Sequence, residues 1–127
     1  MTPQWVDLNQ RSLRVLDEVD TMIREVRAYP LWGETLITHP EARGEIEETM
    51  GQLAELAESS ETSRGILVDT FNSIPLTLPD EAYPDVMLEA AHQMLAAANQ
   101  IHGTVLAILN VFRKYYGQGE STGSSLN

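Results

Sequence analysis

The sequence predicts an all-α fold, an antiparallel bundle of three long helices running up, down and up. Apolar residues recur at alternating steps of three and four over long segments, which is the period of one helix face. Prolines and glycines mark two connections, at 30–33 and at 75–84. The segments between them have similar lengths, about 26, 34 and 32 helical residues, so rods of roughly 40–50 Å can lie side by side.

In the first segment the recurring positions are Trp5, Leu8, Val15, Val19, Met22, Val26 and Tyr29, with Ser12 the polar residue on the same spacing. This is a narrow, coiled-coil-like seam. Asp7 with Arg11 and Asp20 with Arg24 stand one turn apart in the acid-first order, which supports the exposed face. Pro30 and Gly33 stop the helix, and Leu31, Trp32, Leu36 and Ile37 form an apolar link expected to fold over one end of the domain.

Thr38-His39-Pro40-Glu41 has the form of a capping box with proline in the first turn, and it opens the second helix. Its seam runs Ile46, Met50, Leu53, Ala57, Ser60, Arg64, Leu67, Phe71, Ile74 without a slip of register. Ser60 and Arg64 interrupt the seam inside a polar run at 58–63. One kinked helix is the preferred reading; a break near 59–63 would give four helices in place of three.

Three prolines in 75–84 make a stiff connection, and the third helix starts near Pro84-Asp85. Its seam is Met87, Ala91, Met94, Ala98, Ile101, Val105, Ile108, Phe112 and Tyr115, with Leu88, Leu95, Leu109 and Tyr116 as a second stripe. Two apolar stripes suit a central helix that contacts both others. Three helices alone enclose a thin core, so the remaining face is expected to meet a second copy, giving a homo-oligomer through helix 84–116. Residues 1–116 form one domain, and the glycine- and serine-rich 117–127 reads as a flexible tail.

No charge interrupts Ala90–Phe112, and Arg113, Lys114 and two tyrosines follow, which imitates a membrane span with its interfacial flank. Its polar residues argue against one. His92, Gln93, Asn99, Gln100, His102 and Asn110 are spread around the helix, and each would need a partner in hydrocarbon.

The 127 residues carry 19 acids against 8 bases, a formal charge of -11. Such a surface repels phosphate backbones and anionic lipid, so direct contact with nucleic acid is not expected and a protein partner with a basic surface is. The absence of cysteine excludes disulfides, thiolate zinc sites, iron–sulfur clusters and cysteine nucleophiles. There is no glycine-rich phosphate loop and no inferable Ser/His/Asp set. Asp7 falls where a leader would need an apolar core, so a cytoplasmic location is expected.

Two constellations suggest chemistry. Glu89 and His92 have the Glu-x-x-His spacing that supplies two metal ligands one turn apart in carboxylate bundles, although the seam directs them outward, where a solvated pair is the simpler outcome. Ser12, Ser60 and Arg64 fall at similar heights if the first two helices are antiparallel, with the small Ala90, Ala91, Ala97 and Ala98 facing them. That layer could hold a ligand, with Glu18 or Glu61 as the alternative partner for Arg64; or Arg64 could extend outward along its stem. His102 is expected as a hydrogen-bonded core residue, and Trp5, Trp32, Tyr115 and Tyr116 as covers at the bundle ends with wet polar edges. No cofactor is expected. The function that fits is a non-enzymatic adaptor, chaperone-like or inhibitor protein; a ligand- or metal-binding bundle and a membrane-associated helical protein are the alternatives.

Overall fold

The computed structural model describes residues 2–29 and 41–114. They form α1 (Gln4–Ala28), α2 (Ala42–Ser73) and α3 (Asp85–Phe112), with a 3-10 turn at Asp80–Ala82. No strand occurs among the described residues, and the expected three-helix bundle is the fold observed.

Each boundary has a local cause. Pro3, extended at φ -56 and ψ 147, precedes α1, and the Gln4 amide donates to Asp80 Oδ1 at 2.9 Å. That bond satisfies one of the four amides a helix start leaves open and sets a carboxylate at the positive end of the helix dipole. Tyr29 ends α1 in an extended conformation, as a residue before proline must. Pro84, also extended, precedes α3, and Asp85 lies in its first turn. Within the connection the Tyr83 hydroxyl accepts from the Leu78 amide at 3.2 Å and donates to the Pro75 carbonyl, so the ring ties the prolines to α3.

α2 is continuous over 32 residues, so the alternative break near 59–63 does not occur. Its buried positions, Ile46, Leu53, Ser60 and Leu67, are spaced by seven, and in the polar run Glu58, Ser59, Glu61 and Thr62 all face solvent. Only one polar side chain therefore has to be accommodated inside. Glu41 precedes α2 with helical angles and no side-chain cap bond; Thr38 lies outside the described residues.

Trp5 packs near Ala91 and Met87, and Val26 near Phe112, so α1 and α3 run parallel while α2 is antiparallel to both. The α1–α3 interface is the most extensive of the three, and α2 contacts each of the others less. α3 does meet both neighbours, but α1 is the more enclosed helix, with nine buried residues to six. Its buried seam is Trp5, Asn9, Ser12, Leu16, Val19, Ile23 and Val26. The expected alternation, Leu8, Val15 and Met22, is one residue out of phase: Leu8 is buried too, while Val15 and Met22 are half-buried flanks. A helix with neighbours on two sides buries a face wider than one seam, and the more apolar phase need not be its centre.

The core has three parts. Trp5, Val6, Leu8 and Ala91 close one end, where the Trp5 ring meets Tyr83 edge-on at 5.2 Å and Phe71 at 6.1 Å. Leu16, Leu67 and Ala98 make a thin middle. Val19, Ile23, Val26, Ile46, Leu53, Val105, Ile108, Leu109 and Phe112 fill the other end. Ala91 and Ala98 are buried where α3 faces the large Trp5 and Leu16 of α1, but Ala90 and Ala97, expected beside them, are exposed. The expected link at 31–37, Trp32, Tyr115, Tyr116 and the tail at 117–127 lie outside the described residues.

Candidate functional site

α3 has the length and composition of a membrane-crossing helix, with a mean hydropathy of 1.3 over its most apolar window, yet only 28% of that window is buried within the bundle. Half-buried residues such as Met94, Leu95 and Ile101 flank the buried stripe, and the remaining positions form an outer face. Between Ala90 and Asn110 its exposed residues are alanines, His92, Gln93, Asn99, Gln100, Gly103, Thr104, Leu106 and Asn110, and none carries a formal charge with histidine neutral. Val86 is 64% exposed at its start. α2, by contrast, carries seven carboxylates against two arginines, nearly all facing solvent. The chain thus presents one uncharged side and one acidic side.

Carboxylates of α1 brace the bundle. Glu18 Oε2 lies 3.0 Å from His102 Nε2 on α3, and Glu25 meets Arg113, just beyond α3, through Nε at 3.1 Å and Nη2 at 3.3 Å. The hydrogen bond with Glu25 outweighs desolvation and raises the Arg113 pKa above the ordinary arginine value. Asp17 and Asp20 hold Arg64 of α2 at 2.7 and 2.9 Å. His102 is hydrogen-bonded, as expected, but it stands at the rim and not in the core.

The three residues of the predicted polar layer are not brought together. Arg64 reaches outward, its side chain 30% exposed, and its partners are Asp17 and Asp20 instead of Glu18 or Glu61. Those pairs set the register of α2 on α1. Ser60, one turn earlier on an antiparallel helix, then falls near Ile23, while Ser12 lies before Asp17; at 1.5 Å per residue the two hydroxyls are offset by roughly 15 Å along the bundle. Ser12 is buried and donates to the Leu8 carbonyl at 3.1 Å. Ser60 is equally buried, and its Oγ has no partner. Around Arg64 a groove of about 370 Å³ gathers Arg24, Arg27, Asp20 and Glu61. Its three guanidiniums are offset by the two carboxylates and by Asp17, which leaves little net field for an anion.

Glu89 and His92 are both exposed on α3. Among the described residues no group of three or more His, Asp or Glu side chains is placed to share a metal. A two-ligand helix surface supplies less than half the donors that a carboxylate-bundle metal requires.

A feature not anticipated from the sequence lies at the Trp5 end, where residues of α1, α2 and α3 line an apolar cleft of about 260 Å³. Asn9 belongs to its floor, buried where the apolar phase of the seam had pointed to Leu8. The 4-3 phase through Trp5, Ser12, Val19 and Val26 admits either Leu8 or Asn9, and only the packing of α1 between two helices selects both.

Comparison with protein-family models, curated proteins and solved structures finds no match to this chain.

Proposed function

We propose that the protein is a non-enzymatic, cytoplasmic binding protein that self-associates through the outer face of α3 and presents the acidic side of α2 to a basic protein partner. The observation that carries this reading is the uncharged exposed surface from Ala90 to Asn110 in a chain of formal charge -11. A helix that faced water alone would gain solubility from charges on that side at no packing cost, and this one has none. A second copy related by a two-fold axis would cover both uncharged faces at once and leave the acidic faces outward, a coiled-coil-like dimer of bundles. The dense carboxylates of α2 would then steer a basic surface toward the assembly, as an adaptor or an inhibitor that competes with nucleic acid for a basic site would require.

Native mass determination tests the assembly. The wild-type chain is expected as a dimer, and Ala97→Glu, which adds a charge at an exposed position without touching the core, is expected as a folded monomer. A wild-type monomer at all accessible concentrations, or a variant dimer of unchanged affinity, would remove α3 from the interface. Binding of a basic partner is expected to weaken steeply with added salt; equal retention at low and high ionic strength would exclude the electrostatic part.

A further inference from the structure

We infer that the second copy lies antiparallel on α3, with the two-fold axis crossing the helix between Asn99 and Gln100. This rests on the self-association through α3 proposed above and gives it an orientation and a register. The line of exposed residues along the middle of the outer face carries the pattern. Outward from Asn99 and Gln100 it meets Ala96 and Gly103, then His92 and Ala107, then Glu89 and Asn110, all of them exposed. The steps are three, four and three residues in both directions. Steps of three and four keep a line on one helix face. A line that reads the same both ways falls on itself when a copy is turned end for end, as an isologous interface requires.

Charge decides the orientation. α3 starts with Asp85 in its first turn and Glu89 one turn on, and Arg113 and Lys114 follow its end. A parallel pair would set Asp85 against Asp85 and Glu89 against Glu89, and like charges placed face to face oppose association. The antiparallel pair brings the acidic start of one helix to the basic end of the other and opposes the two helix dipoles. Arg113 is held by Glu25 yet half exposed, so it contributes to that end without changing partner. Size agrees with charge. Ala96 meets Gly103 of the second copy and His92 meets Ala107, so small faces small near the axis and bulk faces room beyond it. Such residues let two helices approach to about 8 Å, the close end of helix packing. A Cβ on Gly103 would touch nothing within 4 Å, so no contact inside the bundle asks for glycine there, whereas a second backbone crossing at that point does. At the axis Asn99 and Gln100 meet their counterparts, and side-chain amides, each both donor and acceptor, can bond to one another.

The full chain has no cysteine, so introduced thiols report the register directly. In the antiparallel pair the two copies of residue 96 are offset by seven residues, roughly 10 Å along the helix. A disulfide spans at most about 7 Å between Cα atoms, so Ala96→Cys alone and Gly103→Cys alone are expected to stay reduced under mild oxidation, and their exchanged equimolar mixture to cross-link about tenfold faster or more. Asn99→Cys, beside the axis, is expected to cross-link to itself. The mixture of Glu89→Cys with Asn110→Cys gives the same readout at the ends of the line, where no small residue is replaced, and keeps the test if Gly103→Cys lowers the dimer mass. Self-cross-linking of Ala96→Cys as fast as the mixture would overturn the antiparallel register while leaving α3 as the interface. A dimer by native mass in which none of these thiols cross-links would overturn the interface too, and a monomeric parent chain would remove the self-association itself.

Discussion

Ser60 shows what a single side chain does in a seven-residue repeat. It occupies an inward position of α2 between Leu53 and Leu67, and its hydroxyl is buried without a partner. Removing the oxygen also removes the desolvation it suffers, so Ser60→Ala is expected to raise stability by about 1 kcal/mol, read as a higher urea midpoint at unchanged slope. A lower midpoint would mean that a partner holds the hydroxyl in solution. Sequence reasoning recognised Ser12, Ser60 and Arg64 as the irregular residues of their seams, but their partners were not legible. Arg64 has a reach of more than one turn, and the aspartates that take it, Asp17 and Asp20, lie beside the seam of α1, where nothing in the spacing distinguishes them from Glu18. Asn9 was hidden for a different reason: a polar residue next to Leu8 is read as its solvated neighbour, and only two-sided packing shows that both are inside.

At the scale of the helix, α2 is the weakly attached element. Its contacts with α1 and α3 are less extensive than those between α1 and α3, and among its described side chains Ile46, Leu53, Ser60 and Leu67 are the buried ones. Hydrogen exchange is expected to show its mid-helix amides opening at lower free energy than those of α1 and α3, with protection greatest around Val105 and Leu109; equal protection in all three would show that α2 opens only with the whole. Gly51 and Gly65 of α2 have open space where a Cβ would stand, and neither has a positive φ. Gly51→Ala and Gly65→Ala should each stabilise by about 0.5–1 kcal/mol in denaturant titrations, because alanine loses less backbone freedom and nothing has to move. The seams of α2 and α3 were legible because each has one dominant buried stripe. That of α1 was legible in period but not in phase, since two neighbours compete for it.

Among the described residues, the three helices, their order and the connection at 74–84 follow from periodicity and from the positions of proline and glycine. Relative burial does not follow. α3 is the most apolar helix and was expected at the centre, whereas α1, with five carboxylates and four arginines, is the more enclosed. Charge at flanking positions does not prevent enclosure when the carboxylates can reach a neighbouring helix, as Asp17, Asp20, Glu18 and Glu25 do. The apolar surplus of α3 is spent on its outer side, and the proposed dimer rests on that side.

The parallel pairing of α1 with α3 has a consequence for how the chain is made. Trp5 waits for Ala91 and Val26 for Phe112, separations of more than eighty residues, so this helical protein has the long loop closures more usual in sheets, and slower folding than a local helical hairpin is expected. On the ribosome α1 emerges with its principal neighbour still untranslated, and α2 alone covers little of it. Chains cut short before residue 85 should expose that bare helix to chaperones and proteases.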